Sequence, residues 1–185
     1  EQRELTLASN LDRPINAWAP EAFFDRASRR TMVFWATALG ESWTRPIDIR
    51  KSAHAVYYSI TADFERFTPA KPLLPPFPDG PSVIDATMAP FAAAEGGYYL
   101  VFKHEVNKTL AVATSQHLEG PYTTFARDIA PGTSAEGPSV VRRARDEVLV
   151  YHDRYESGRS GALRATSMRG PCEDAPPELS VPTGI

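Results

Sequence analysis

Two acidic residues stand at corresponding places in two short apolar runs. Asp85 lies in SVIDATMAP and Glu136 lies in AEGPSVV, 51 residues further along the chain. When the runs are aligned on Ala86 and Pro138, the two acids fall within one position of each other. Cleavage of a glycosidic bond requires paired carboxylates, because one donates a proton to the leaving oxygen while ionised partners activate water and tune that donor.

Each carboxylate also has an ordinary structural interpretation. An Asp before a strand commonly caps a turn by accepting hydrogen bonds from backbone N–H groups. A Glu before Gly-Pro, such as Glu136, is commonly a solvated loop charge. Taken singly, either residue is better explained as a structural residue of a turn or loop. Only their matching positions in the two runs favour a catalytic pair. Both interpretations therefore stay open at this point.

Composition sets limits on the class of protein. The chain has 185 residues, enough for one substantial domain, with 42% hydrophobic and 10% aromatic residues. Its net charge is −3 and it has no long run of Lys or Arg, so we expect neither a nucleic-acid surface nor a membrane-binding basic patch. No apolar run is long enough to cross a bilayer. The single cysteine, Cys172, excludes an internal disulfide and a cysteine-based zinc cluster.

Short β-type runs recur along the chain. Seventeen prolines and eleven glycines leave few uninterrupted windows of helical length, which predicts an all-β protein. Three apolar runs are each preceded by a polar turn and a further short apolar run, and each is followed by another candidate strand. The central runs are 31–38, 98–103 and 147–153, and the strands that follow them are 53–60, 109–115 and 161–167.

The recurrence predicts a β-propeller. ATSQHLEGP and ATSMRGP, which begin at Ala113 and Ala165, repeat one ending 52 residues apart. Units of three strands at a period of roughly 50 to 65 residues are typical of propeller blades. We therefore expect residues 1–185 to form one partial propeller domain with about three complete blades. The predicted blade units are 15–70, 81–124 and 134–172, with 1–14 ending a preceding blade and 173–185 leading into a following one.

A propeller would bring the two acids together. The first strand of each blade lines the central channel, so the loop before it projects toward the axis. Residues near Trp18, Asp85 and Glu136 are then expected to converge from successive blades. A lone Trp such as Trp18 is otherwise more often a core residue than a platform for sugar.

Six segments of the chain occur in a specific order and spacing, namely WAPEAFFD, YYSITADFERFTPAKPL, VIDATM, YYLVFK, LEGPY and AEGPSVV. In these segments the sequence resembles the family 43 glycoside hydrolases, from about residue 15 to residue 183. That resemblance implies a five-bladed β-propeller enzyme that acts largely on arabinose- and xylose-containing glycans with inversion.

The resemblance also implies roles for individual residues. Glu136 matches the family's general acid, Asp85 matches the carboxylate that orients this acid and modulates its pKa, and Trp18 matches a position near the sugar pocket. The family's general base is an Asp upstream of WAPE. Asp12 lies too close to Trp18 to fill that role, so we expect the base to lie upstream of this chain.

Three further residues are candidates by their position after inner hairpin strands. His104 is the first that we expect to contact substrate, and Asp153 and Tyr155 are weaker candidates. The four histidines show no close metal-ligand spacing, and we predict no metal ligand among the site residues.

The resulting hypothesis is an inverting glycosidase that acts on arabinan, arabinoxylan or xylan. The expected enzyme requires no cofactor. A calcium ion on the propeller axis would have a structural role only. We expect the protein to be secreted or periplasmic rather than cytoplasmic, although the chain shows no signal peptide. The alternatives are a carbohydrate-binding propeller that lacks the general base, and a repeat protein used for protein–protein contact.

Overall fold

The structure is a computed structural model that describes residues 4, 6–40, 54–74, 82–91, 96–126, 128–130, 132, 134–144, 147–169 and 171–179. In this part of the chain the regular elements are β-strands and one short 3-10 helix, and the prediction of an all-β protein is confirmed. No helix among these residues has the length and apolar character needed to span a membrane. The elements are β1 (Trp18–Asp25), β2 (Arg30–Ala38), β3 (His54–Thr61), β4 (Lys71–Pro72), β5 (Val83–Pro90), β6 (Tyr98–His104), β7 (Thr109–Ser115), β8 (Thr123–Ala126), β9 (Ala135–Ala144), β10 (Glu147–Arg154), β11 (Arg159–Ala165), β12 (Glu173–Asp174) and the 3-10 helix Pro177–Leu179.

The strands form three antiparallel sheets of four strands each. Their orders are β1-β2-β3-β4, β5-β6-β7-β8 and β9-β10-β11-β12, so each sheet is built from consecutive strands. The three repeated strand patterns of the sequence correspond to these three sheets. The short outer strands β4, β8 and β12 complete each sheet beyond the three strands that the pattern predicts.

The middle sheet is buried on both faces, which explains its nearly continuous apolar strands. Along β6, Leu100 and Phe102 point into a core shared with the first sheet. Tyr99 and Val101 point into a second core shared with the third sheet. Successive side chains of a strand point to opposite faces, so an uninterrupted apolar run is what a strand between two cores needs.

A bulge interrupts the first strand of every sheet at the same place. The residues at its centre, Ala19, Asp85 and Gly137, have φ values of 45°, 52° and 56°. The bulges fall between Trp18 and Glu21, between Ile84 and Thr87, and between Glu136 and Ser139. A β-bulge bends its strand and redirects neighbouring side chains. Because β5 packs beside both β1 and β9, the three bulges lie close together.

Candidate active site

An open cleft of about 330 Å³ lies where the three bulges meet. The bulge residues of all three sheets line it, together with Glu21 and Asp153. The structure thus places Asp85 and Glu136 on one cleft, as the propeller hypothesis expects.

Asp85 is tied directly to the strand that carries Glu136. The backbone N–H of Gly137 donates a hydrogen bond to Asp85 Oδ2 over 3.2 Å, linking the second sheet to the third. Burial raises the pKa of Asp85 above its ordinary value, and the negative charges of Glu136 and Glu105 add to this effect. The Gly137 N–H and the Lys103 ammonium oppose it without cancelling it. Asp85 therefore keeps its proton to a higher pH than an exposed Asp does.

Glu136 is held by a buried lysine that sequence reasoning did not identify. Lys103 Nζ lies 2.6 Å from Glu136 Oε2 and 2.6 Å from Glu105 Oε1, and the Lys103 side chain is only 5% exposed. Burial alone lowers the pKa of Lys103, but its hydrogen bonds and charge contacts with the two carboxylates outweigh burial and raise it. Lys103 is therefore an ammonium at neutral pH.

The predicted substrate contact Tyr155 is also part of this group. Lys103 Nζ lies 4.6 Å from the centre of the Tyr155 ring. The half-buried ring thus lies against the lysine that holds Glu136 and is not among the residues that line the cleft. A contact between Tyr155 and substrate remains a prediction.

Glu21 is a third cleft carboxylate that the sequence did not reveal as a candidate. Its Oε1 accepts a hydrogen bond of 3.0 Å from the buried Thr87 hydroxyl, and it also accepts one from the Met88 backbone. Burial raises the pKa of Glu21, and these two hydrogen bonds oppose the rise only in part. The sequence could have indicated Glu21, because it directly follows Pro20 and corresponds to the residues that follow the other two bulges.

Asp153 adds a fourth carboxylate from β10, where it pairs across the strands with Glu136. The Ser160 hydroxyl donates a hydrogen bond of 3.2 Å to Asp153 Oδ1. Asp153, one of the two weaker candidates of the third hairpin, thus lies in the cleft wall.

Trp18 lies directly beside the cleft residue Ala19 and is 36% exposed. Its ring stacks on the His54 ring, with centroids 4.6 Å apart and planes inclined by 14°. Asn16 and Ser82 contact the two ring nitrogens of His54 at 2.9 and 3.3 Å. A well-supported, partly exposed aromatic face of this kind suits sugar stacking, and contact with substrate remains a prediction for Trp18.

His104 lies elsewhere. It is 2% exposed, and its Nδ1 accepts a hydrogen bond of 3.3 Å from the Asn107 backbone N–H within the turn between β6 and β7. His104 is outside the set of residues that line the cleft. Its buried position at the end of β6 gives no support to the predicted contact with substrate.

The described residues provide no group of three or more His, Cys, Asp or Glu side chains that could hold a metal ion. The chemistry that this arrangement can perform is proton transfer between carboxyl groups, water and a bound ligand.

Three antiparallel sheets whose bulged first strands present carboxylates to one cleft define an all-β protein equipped for acid–base chemistry. Comparison with known families is more specific. Residues 1–171 match the model of a family 43-related group described as a probable glycosyl hydrolase domain, and the chain belongs to this family. No curated protein matches the chain.

Several solved glycosidase structures share the fold. A family 117 glycoside hydrolase of the marine bacterium Zobellia galactanivorans is 15% identical, with a TM-score of 0.63 over 92% of this chain and 58% of its own. A family 43 protein of Bacillus licheniformis is 15% identical, with a TM-score of 0.64 over 91% of this chain and 31% of its own.

An exo-β-1,3-galactanase of Phanerochaete chrysosporium, solved with β-1,3-galactotriose, is 12% identical, with a TM-score of 0.62 over 86% of this chain and 35% of its own. This chain therefore spans between about a third and three fifths of the length of these three structures. At these identities the likeness shows the fold alone.

Proposed function

We propose that the protein is an inverting glycoside hydrolase in which Glu136 is the general acid and Asp85 orients it. The observation that carries the proposal is the cleft where the two carboxylates meet, joined by the hydrogen bond from Gly137 N–H to Asp85. This bond connects Asp85 to the residue directly after Glu136, so the position of one acid fixes that of the other. Membership of a glycosidase family supports the same assignment.

In the proposed reaction the proton of Glu136 passes to the glycosidic oxygen while the bond from that oxygen to the anomeric carbon breaks. A water molecule attacks this carbon from the opposite face and gives its proton to a base. The resemblance implies that this base is an Asp that precedes the WAPE segment. In this proposal Asp85 holds the acid in place through the Gly137 backbone and modulates its pKa, as the resemblance implies.

The proposed substrates are plant glycans that contain arabinose or xylose, namely arabinan, arabinoxylan and xylan. The segments that resemble family 43 support this choice. Because one structural neighbour was solved with β-1,3-galactotriose, galactosides belong in the same test. The proposal includes a five-bladed propeller, a secreted or periplasmic location, and hydrolysis without a cofactor.

The test is Glu136→Gln in the full-length protein, assayed on aryl arabinofuranosides, xylosides and galactosides with leaving groups of different basicity. General acid catalysis contributes about 10²- to 10⁴-fold, so we expect a loss of this size on poor leaving groups and a much smaller loss on dinitrophenyl glycosides. Oligosaccharide binding, measured by calorimetry, should persist. Glu156→Gln, at an exposed position in the turn after β10, is the matched control. Full activity of Glu136→Gln on a poor leaving group would show that Glu136 is not the acid.

A carbohydrate-binding protein without hydrolytic activity is the second candidate. The observation that favours it is the Lys103–Glu136 ion pair, because such pairs also occur as purely structural contacts. Binding of arabinan or xylan oligosaccharides by the full-length protein, without release of sugar from any of the aryl glycosides, would support this candidate against the enzyme.

A further inference from the structure

A buried cation occupies one position of the middle sheet where the other two sheets have none. Lys103 pairs across the strands with Ile84, directly before the bulge residue Asp85. At the equivalent positions the first sheet has Ala36 and the third sheet has Asp153. The fold therefore does not require a lysine at this position.

The ammonium of Lys103 is held on several sides. Glu105 Oε1 lies 2.6 Å from it, and the Tyr155 ring lies 4.6 Å away. Glu105 is itself fixed by Lys108, whose Nζ lies 2.8 Å from Oε2. A lysine anchored in this way loses little further freedom when it makes one more contact.

Glu136 is that further contact, and its environment differs from that of Glu105. The Glu105 side chain is 13% exposed, whereas the Glu136 side chain is 36% exposed and lines the cleft. Glu105 is shared between Lys103 and Lys108, whereas Glu136 contacts Lys103 alone of these two lysines. The contact with Glu136 therefore connects the buried Lys103 ammonium to the carboxylate of the pair that a ligand in the cleft can reach.

We propose that Lys103 is the positioning residue for Glu136. It holds Oε2 and thereby leaves Oε1 to carry the proton that is transferred to the glycosidic oxygen. It also stabilises the carboxylate charge that develops on Glu136 as this proton leaves. This inference rests on the proposed role of Glu136 as the general acid.

The chemistry is balanced by the hydrolysis itself. The Oε1–H bond of Glu136 breaks and a new O–H bond forms on the leaving oxygen, whose bond to the anomeric carbon breaks. Water supplies the hydroxyl group that bonds to this carbon and gives its other proton to the base. Glu136 changes from neutral to negative during the proton transfer. A fixed cation at 2.6 Å stabilises this developing charge without reorganising, as preorganised catalytic groups do.

The experiment compares Lys103→Met with Lys71→Met in the full-length protein. Lys71 is an exposed residue of β4 outside the cleft lining, so Lys71→Met removes an ammonium group and leaves the Lys103–Glu136 contact in place. For Lys103→Met we expect kcat to fall about 10- to 100-fold on alkyl or oligosaccharide leaving groups, part of the contribution of the acid, and less than about threefold on dinitrophenyl glycosides. KM should change less than about threefold, because sugar contacts remain. Lys71→Met should behave like the wild type.

A uniform loss with both leaving groups, or no loss with either, would overturn the role of Lys103. If Lys103→Met does not fold, Lys103→Met combined with Glu105→Gln removes the cation together with one of its anions and carries the same expectation. Glu136→Gln in the same series separates the two proposals. If its losses do not depend on the leaving group, the proposed function fails. If they do and those of Lys103→Met do not, only the inference about Lys103 fails.

Discussion

Asp85→Asn is expected to stabilise the protein at neutral pH while it lowers activity. The amide is nearly isosteric with the carboxyl group, and its oxygen can accept the hydrogen bond from Gly137 N–H that Asp85 Oδ2 accepts in the wild type. What changes is the charge. Burial raises the pKa of Asp85, so ionising this group in the folded state costs more free energy than ionising it in the unfolded chain.

The sign of the pH dependence follows from proton binding. Between the unfolded pKa, about 3.9, and the raised folded pKa, the native state binds more protons at Asp85 than the unfolded state does. The stability of the wild type relative to Asp85→Asn therefore falls as pH rises through this window and is constant above it. Above this window, the difference in the free energy of unfolding between the two proteins measures the pKa shift of Asp85 directly, at about 1.4 kcal/mol for each pKa unit. For a domain of this size, each 1 kcal/mol corresponds to about 2–4 °C in Tm.

The assay is chemical denaturation of both proteins at a series of pH values from about 3 to 8, with hydrolysis measured alongside. Asp25→Asn is the control with the opposite sign. Burial alone raises the pKa of Asp25, but hydrogen bonds from Ser28, Tyr98 and Ala27 outweigh it and lower the pKa. Asp25 thus stabilises the protein above its unfolded pKa, and this stabilisation is lost as pH falls through the folded pKa. Asp25→Asn should destabilise the protein at pH 7 and lose that effect in acid.

Equal pH dependence of stability in the wild type and in Asp85→Asn would refute the reasoning about burial. Loss of stability at pH 7 in Asp85→Asn would show that the contacts with Gly137 and Lys103 outweigh desolvation. Retention of full activity would remove Asp85 from the mechanism whatever its effect on stability.

Three variants test the packing by their effect on stability. Phe102→Ala should cost about 3–5 kcal/mol, and Tm should fall by about 6–20 °C, because Phe102 is fully buried in the core between the first and second sheets. Val141→Ala, at an exposed position of β9, should change stability by less than about 0.5 kcal/mol, and a comparable loss in both variants would contradict the assignment of the core. Gly161→Ala should cost about 1–3 kcal/mol, since its Cβ would lie 2.6 Å from His152 Nε2 and 2.7 Å from Arg154 Nε. Thermal denaturation checks all three, and a neutral Gly161→Ala would show that this close approach is absent.

The first three strands of each sheet could be predicted because their apolar runs are long and bounded by turn residues. The outer strands were not predicted. Lys71–Pro72 and Glu173–Asp174 are two residues long and exposed, so they show neither an alternation nor a preference that distinguishes them from a loop. They exist because the neighbouring strand supplies hydrogen-bond partners, which is a property of the sheet rather than of their own residues.

The site was predictable where it follows the repeat and not where it depends on contacts between sheets. Asp85 and Glu136 occupy related positions in two repeats, so alignment brought them together. Lys103 reads in sequence as the end of a buried strand, and its role depends on Glu136 from another sheet. Glu21 depends in the same way on Thr87. Strand periodicity describes the environment of a residue within its own sheet and contains no information on which side chains of the next sheet it meets.

The bulges explain why Asp85 and Glu136 occupy different positions relative to the bend in their strands. The left-handed φ is shared by Ala19, Asp85 and Gly137, yet only the third is glycine, which adopts this conformation without strain. Asp tolerates it better than most residues do, and Ala tolerates it at a cost of about 1–2 kcal/mol. Asp85 thus lies on the residue whose backbone is bent, whereas Glu136 precedes a glycine that absorbs the bend. The Glu-Gly-Pro segment therefore positions an acid with little backbone strain, and the hydrogen bond from Gly137 to Asp85 makes the two positions interdependent.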